Sequence, residues 1–545
     1  MENNKRVRLG IIGPGAISRL FAEGAKEAHN IELAAVASRD KSRAEVFAES
    51  FGIETVHDSY QALLQDETIE LVYIGLINTR HFYAARQAIL AGKGVILEKP
   101  LTLNAYEAKL LIDLAKEENV FLMEAMWTRF HPINRKVLDW IEDGEIGDIK
   151  RVEVSFGYFG GDDETLRHLN PELGGSALLD VGIYPLAYAS MLLGPPKALS
   201  GKALQTAKKV DRQIEITAVY ENATASLAAS VENQLPNKAV ITGTEGIIEV
   251  PFFFNPKEAS LYRFGDTQES PYDLEERIVQ EFGSGYRFEA EAAADAYLKG
   301  WTEHPWLSLD ESLQLMEQMD DLRHTLDLTY PAERAVLFDC DGVLVDSEAL
   351  LAKQAAKMLN EKGIPAKPED FVNFIGTGED RYLEGVIELY DGTYDPALKR
   401  DLYTHYLAAA PTELQEVKGA KALVETLLKR SIRVAVASAA DKIKVDANLS
   451  AFGIEEDGFD AVISGSDVEK KKPHPDIYLK AARAVGVKPE HCIVVEDAEA
   501  GIQSAKAAGM FAIGITTAVS KERLFAAGAD QVVDTIDAMY PLLGI

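Results

Sequence analysis

Two cysteines in 545 residues are too few for a disulfide framework or a thiolate metal cage. Each of them, Cys340 and Cys492, falls in or beside an apolar strand-like run, where a small buried thiol is expected. No apolar run approaches the roughly 20 residues of a membrane span, and the opening MENNKRVRLG holds no signal-like apolar segment. A cytoplasmic protein that does not engage membrane is the expectation. Positive charge is also short: 56 Lys and Arg stand against 87 Asp and Glu, a formal charge of -31, and no local basic patch offsets it. Such a surface repels phosphate backbones and anionic lipid, so nucleic acid is not an expected partner. Fixed-period repeats, low-complexity segments and long charge runs are missing as well, which removes solenoids and disordered tails.

What is present is an ordinary globular composition, 47% hydrophobic and 26% charged. At roughly 150 residues per domain, the length suggests three or four folding units. From residue 7 to about 98, the apolar runs VRLGIIG, IELAAVAS, ELVYIGLI and GVILEKP alternate with helical patterns, which indicates a parallel sheet. After FLMEAMWTRFHP the rhythm changes to longer alternating strands, KRVEVSFGY, RQIEITAVY and ATASLAASVE, which suit an open antiparallel sheet. The helical pattern DESLQLMEQMDDLRHTLDL then stops at Pro331, and a new buried strand follows almost at once. The last third alternates again: RAVLFD, IRVAVAS, DAVISG, HCIVVED and FAIGIT read as strands, with a helix-rich insertion between Asp346 and Lys418. An insertion after the first strand of such a sheet is placed to act as a lid over the strand C-termini.

In LGIIGPGAIS, Gly13 and Gly15 give the tight turn and close backbone approach that a pyrophosphate needs, and Ser18 stands where a third glycine often packs helix on strand. This is a dinucleotide-binding turn after a strand and before a helix. At the end of the second strand, Ser38 and Arg39 offer a hydroxyl and a guanidinium suited to a 2′-phosphate, which favours NADP. The alternative, NAD with Asp40 on the ribose, stays open. Asp180 and Tyr184 lie four apart in a helical segment and so share one face.

The runs NTRHFYAARQAILAGKGVILEKPLT, MEAMWTRFHP and GGSALLDVGIYPL resemble the glucose-fructose oxidoreductase/inositol dehydrogenase family, nearest its dimeric dihydrodiol dehydrogenase branch, over residues 5–330. The resemblance implies a dehydrogenase or reductase of CH–OH groups in a sugar, polyol or diol, with Lys99 of the Glu98-Lys99-Pro100 motif as a proton-transfer group beside nicotinamide and substrate. It implies that Asp180 and Tyr184 join Lys99, and that Glu98, His81, Trp127 and Arg129 line the cofactor and substrate pocket. Many relatives carry His where this chain has Tyr184; the dihydrodiol branch uses Tyr, which leaves open whether Lys99 or Tyr184 is the principal acid. A homodimer is a further implication.

In VLFDCDGVLVDSE, Asp339 and Asp341 emerge from the end of an apolar strand, and Gly342 allows a sharp turn beside a phosphate. A carboxylate there can attack phosphorus while its neighbour protonates the leaving oxygen. Three more strand ends follow in order: Ser438 to bind a phosphoryl oxygen, Lys472 to neutralise developing charge, and Glu496 with Asp497 to complete a Mg2+ site. These pieces resemble the haloacid-dehalogenase superfamily, in its phosphatase and β-phosphoglucomutase branch, over residues 334–545. The resemblance implies an aspartyl-phosphate on Asp339, acid/base work by Asp341, and Mg2+ held by Asp339, the Asp341 carbonyl and Asp497. Mutases of that branch carry a cap His and an Arg before a Glu-Asp pair; Leu351 and Gly378 stand at the nearest positions, which favours a phosphatase of a small sugar or polyol phosphate. A mutase is the alternative, as is one half serving as a non-catalytic sensor or oligomerisation module.

The expected fold is therefore α/β: a Rossmann domain (residues 1–125), an α+β open-sheet domain (126–330), and a second Rossmann-like core with a helical cap at about 350–415 (334–545). Two enzymes on one chain, serving one pathway of sugars or polyols, is the functional expectation.

Overall fold

The computed structural model describes residues 5–265, 272–328, 334–374, 379–430, 432–454 and 458–543. Pro331 and Gly378 lie outside them. The chain divides into two compact units, residues 1–331 and 332–545. Among the described residues no helix is long and apolar enough to cross a membrane.

The first unit opens with six parallel strands: β1 (Val7–Ile12), β2 (Ile31–Ala37), β3 (Thr55–His57), β4 (Leu71–Ile74), β5 (Gly94–Glu98) and β6 (Leu122–Ala125). Their order, β3-β2-β1-β4-β5-β6, reverses direction of growth between β1 and β4, which opens a crevice at the strand C-termini. β4 and β5 are buried throughout because helices cover both faces of the sheet. The helix Tyr286–Leu298, far along the chain, also belongs to this layer. Its Ala290, Ala293 and Ala294 enter the core of Val7, Phe21 and Tyr73, and a Cβ at Gly24 would lie 2.5 Å from the Arg287 nitrogen. A division at residue 125 therefore leaves out one helix of the nucleotide-binding layer.

The second sheet has eight strands: β7 (Ile149–Gly157), β8 (Ala198–Gln205), β9 (Asp211–Val219), β10 (Thr224–Ser230), β11 (Lys238–Gly243), β12 (Gly246–Pro251), β13 (Glu258–Phe264) and β14 (Tyr272–Val279). Their order is β14-β13-β12-β11-β7-β10-β9-β8. The sheet is mixed rather than antiparallel, because β7 pairs with β10 in parallel and with β11 antiparallel. The helix Ile183–Leu193 lies in the connection after β7 and packs on β7 and β10. Such a helical crossover lets a later strand run parallel to the one that preceded it.

The second unit has a six-stranded parallel sheet of β15 (Ala335–Phe338), β18 (Arg433–Ala437), β19 (Ala461–Ile463), β20 (Cys492–Glu496), β21 (Phe511–Ile515) and β22 (Gln531–Val533). Its order, β19-β18-β15-β20-β21-β22, puts the first strand in the middle. A two-stranded neck, β16 (Val345–Asp346) against β17 (Gln415–Glu416), carries the helices Glu348–Glu361, Glu379–Leu389 and Ala397–Glu413. These helices enclose a core of their own around Leu351, Phe371, Leu383 and Tyr406. Both cysteines are buried and unpaired, as a small apolar role requires.

Candidate active sites

In the first unit, Gly13 follows β1 with φ +87°, and a Cβ there would meet Leu76 Cδ2 at 2.4 Å, so only glycine fits the turn. Gly15 opens the helix Ala16–Glu27 without a side-chain cap, so the backbone N–H groups of its first turn, next to the end of β1, have no cap side chain to accept from them. Those orphan donors, together with the Cβ-free turn, fit a pyrophosphate. Ser18 is fully buried where the helix packs against the end of β4, its hydroxyl 2.1 Å from where a Cβ at Gly75 would lie, and it donates its proton to the Gly13 carbonyl at 2.6 Å, which fixes the turn. At the end of β2, the Ser38 hydroxyl is buried and accepts from the Asp40 nitrogen at 3.1 Å, while Arg39 is exposed. The Asp40 carboxylate caps the next helix, accepting from the Ser42 nitrogen and hydroxyl.

The chemical centre forms around Lys99, just past β5. Its ammonium donates to the Asp180 carbonyl, lies 3.5 Å from Asp180 Oδ1, and sits 5.0 Å from the centre of the Tyr184 ring. Asp180 is not on an ordinary α-turn: Leu178–Gly182 form a π-helical turn, and Pro185, five residues on from Asp180, has no N–H for its carbonyl. The lysine supplies that donor. Burial opposes charge on the Asp180 carboxylate, yet Lys99 and Arg167 bring it down to about 2, helped by a 2.8 Å hydrogen bond from the Tyr158 hydroxyl. Tyr184 accepts from the Trp127 indole N–H at 3.1 Å, and burial pushes its hydroxyl well above the ordinary value, so it is held protonated and able to donate. Trp127 is fixed in turn by stacking on Tyr286, with centroids 4.2 Å apart.

Three residues expected to line the pocket support it from behind. His81 is fully buried between the Pro100 carbonyl (2.8 Å) and the Leu76 carbonyl (3.1 Å), and burial lowers it to about 4; the neutral ring has one N–H to give, to whichever carbonyl its tautomer faces, and packs between the Lys99 loop and the loop after β4. Glu98 accepts from the Tyr73 hydroxyl at 2.6 Å and from the Lys99 nitrogen at 3.2 Å. Arg129 is spent on Glu311 and on the Ala187 and Trp306 carbonyls. A buried guanidinium with those partners is a brace, and neither it nor His81 presents a group to a ligand.

In the second unit, the central place of β15 brings Asp339 between the ends of β18 and β20. Lys472 binds the three together, donating to Asp339 Oδ1 at 2.7 Å, the Ala437 carbonyl at 2.9 Å and Glu496 Oε1 at 2.6 Å. Burial works against this ammonium, but Asp339 and Glu496 hold it well above its ordinary value. Glu496 also accepts from the Tyr478 hydroxyl and from the backbone nitrogens of Asp497 and Ala498. It therefore serves first to position Lys472. Oxygens of Asp339, Glu496 and Asp497 nonetheless lie within 4.8 Å of one another. Burial, with Glu496 and Asp341 nearby, pushes Asp339 up to about 7, and burial with Glu496, Asp339 and Asp341 holds Asp497 well above the usual carboxylate range. Hard oxygen donors crowded into a site short of positive charge fit a divalent cation such as Mg2+. Gly342 makes the site possible: its φ is +74°, and a Cβ would fall 1.8 Å from Asp497 Oδ2.

Asp341 points away from this cluster. Its carboxylate pairs with Lys444 at 3.0 Å, accepts from Ser347 and from Asn448 Nδ2 at 3.0 Å, and has the Ser438 hydroxyl at 3.4 Å. Despite burial, Lys444 leads these groups in lowering it. Sequence reasoning missed Lys444 and Asn448. Their four-residue spacing on the helix after Ser438 was the available signal. Leu351, at the mutase histidine position, is buried in the cap's own core.

Residues 7–126 match the family model "Oxidoreductase family, NAD-binding Rossmann fold", residues 134–249 the "GFO/IDH/MocA C-terminal domain", and residues 336–515 the "Haloacid dehalogenase-like hydrolase". The trans-1,2-dihydrobenzene-1,2-diol dehydrogenase of Xenopus laevis is 32% identical over 330 residues, covering 59% of this chain and 98% of that protein. A 3-ketoreductase from Actinomadura kijaniata, solved with NADP and TDP-benzene, is 28% identical with a TM-score of 0.53 over 60% of this chain and 99% of its own. The chloroplastic protein SUPPRESSOR OF QUENCHING 1 of Arabidopsis thaliana is 43% identical over 206 residues, 37% of this chain and 20% of that protein. By these matches and by its two strand-end sites, the chain belongs to the GFO/IDH/MocA oxidoreductase family and carries a haloacid dehalogenase-like hydrolase domain behind it.

Proposed function

We propose that the chain is a bifunctional enzyme: an NADP-dependent dehydrogenase or reductase of a sugar, polyol or diol, joined to a Mg2+-dependent phosphatase of a small sugar or polyol phosphate. The convergence of Lys99, Asp180 and Tyr184 carries the first reading. A hydride acceptor or donor is supplied by the nicotinamide when bound. Lys99 and the protonated Tyr184 hydroxyl stand together to hold and move the proton of the substrate hydroxyl, and Asp180 keeps the lysine in place. The trans-1,2-dihydrobenzene-1,2-diol dehydrogenases, named for a diol substrate, support the substrate class, and the 3-ketoreductase, solved with NADP, supports the cofactor. Arg39 at the end of β2 favours NADP, since the alternative carboxylate, Asp40, is occupied as a helix cap.

Lys472 bridging Asp339 and Glu496 carries the second reading. Asp339, Asp497 and Glu496 would hold the cation, which supplies charge neutralisation for a phosphoryl group. Asp339 Oδ attacks phosphorus and the bond to the leaving oxygen breaks, giving an aspartyl-phosphate. Asp341 gives its proton to the leaving oxygen and takes one back from the water that hydrolyses the intermediate. Entry of a phosphate anion beside Asp341 favours its protonated form. Lys472 and the Ser438 hydroxyl hold the phosphoryl oxygens. The buried Leu351 favours a phosphatase over a mutase, because it offers nothing to a second phosphate.

The test is a screen of the purified protein: phosphate release from sugar and polyol phosphates with Mg2+, and NADP reduction with sugars and diols. Phosphate release without Mg2+, or sugar-phosphate isomerisation outpacing release, contradicts the phosphatase reading.

A further inference from the structure

The Asp341 carboxylate is held unevenly. Among the described residues, the closest contacts of Ser347, Lys444 and Asn448 all fall on Oδ1, whereas the hydrogen bond to Oδ2, from the Ser438 hydroxyl, is long at 3.4 Å. Oδ2 is therefore the oxygen with capacity left for a leaving group. Asn448 and Lys444 project from one face of the helix Lys442–Phe452, and both are buried. An asparagine amide can point either way round, and only one way gives Asp341 a donor. The choice is made by the cap: Tyr406, buried on the helix Ala397–Glu413, gives its hydroxyl proton to Asn448 Oδ1 at 2.7 Å. With that oxygen engaged, the Asn448 NH2 faces Asp341 Oδ1. The reverse orientation would set the amide oxygen against a carboxylate.

Resting on the phosphatase reading, we propose that Tyr406 and Asn448 are positioning residues for Asp341, through which the cap helix orients the acid that protonates the leaving oxygen. The balance of the step is simple. The P–O bond to the leaving group breaks, the proton on Asp341 Oδ2 passes to that oxygen, and the carboxylate is left with Oδ1 still anchored. The contribution matters only where the leaving group needs a proton. An alkoxide does, and a nitrophenolate, whose charge spreads over the ring, does so far less.

The experiment measures kcat/KM of full-length wild type, Tyr406→Phe and Asn448→Ala on p-nitrophenyl phosphate, phenyl phosphate and glycerol phosphate with Mg2+. General acids contribute about a hundredfold or more, so a misplaced one should cost the variants at least about tenfold more on glycerol phosphate than on p-nitrophenyl phosphate, with phenyl phosphate between. Tyr406→Phe keeps the ring that fills the cap core, and its melting curve checks that the fold survives. Equal losses on all three substrates, or none, overturn the proposal while leaving the phosphatase reading standing. A wild type that releases phosphate from none of them overturns both.

Discussion

Replacing Gly342 by alanine is a one-methyl probe of the second site. The Cβ would arrive 1.8 Å from Asp497 Oδ2 and 2.7 Å from its Cγ. Ordinary contact lies near 3.5 Å, so the carboxylate must retreat by well over about 1 Å. Thr517 resists that movement, since its hydroxyl donates to the Gly342 carbonyl at 2.6 Å and lies 3.4 Å from Asp497 Oδ2. The φ of +74° adds about 1 kcal/mol of backbone strain for a residue with a Cβ. Mg2+ demands oxygen ligands near 2.0–2.1 Å in nearly ideal geometry, so a ligand displaced this far no longer serves. Disturbing even the support of a ligand costs about 10–100-fold in metal affinity, and a displaced ligand should cost at least that. The assay is phosphate release against Mg2+ concentration at saturating substrate, with dehydrogenase activity and the melting curve as controls. The midpoint should rise at least about tenfold while the first unit works normally. An unchanged midpoint in a folded variant would refute Asp497 as a ligand.

Two further outcomes follow from the first unit. Arg39→Asp should shift cofactor preference from NADP toward NAD by removing a guanidinium and adding repulsion, and unchanged kcat/KM ratios for the two cofactors would make Arg39 mere surface. Glu124 is buried, accepting from the Leu101 nitrogen and the Ser312 hydroxyl, and burial pushes it up to about 7 from 4.5. A raised folded-state value means that stability falls as pH rises from about 4.5 to about 7, on the order of 3 kcal/mol for this group. Glu124→Gln should therefore gain melting temperature over wild type progressively across that window and hold the gain above it; a difference independent of pH would contradict the shift.

The parts of the fold that a sequence announces are those set by local pattern. Apolar runs such as LVYI and VILE must be strands buried on both faces, and Gly13 needs a conformation that few other residues adopt. The strand-end aspartates were legible for the same reason, since a parallel sheet gathers its C-termini on one edge. What depended on distant partners was not. Nothing local says that Arg129 meets Glu311, or that His81 is walled in by two carbonyls. Pro185 is visible in the sequence as a residue with no N–H to give to the turn before it, but the donor that the Asp180 carbonyl takes, Lys99, lies on the loop after β5. Lys444 and Asn448 look like any helix surface until Asp341 and the cap close over them. The parallel pairing of β7 with β10 is likewise a property of the crossover, since the alternation within each strand is the same for either direction.

The central claim is that two independent catalytic centres share this chain, one around Lys99 and one around Asp339. Full-length Lys99→Met and Asp339→Asn, each assayed for NADP-linked oxidation and for Mg2+-dependent phosphate release, test it directly. Lys99→Met should lose at least about a hundredfold in dehydrogenase turnover and release phosphate normally, and Asp339→Asn should do the reverse. Either substitution removing both activities from a folded protein, or sparing both, would contradict the account.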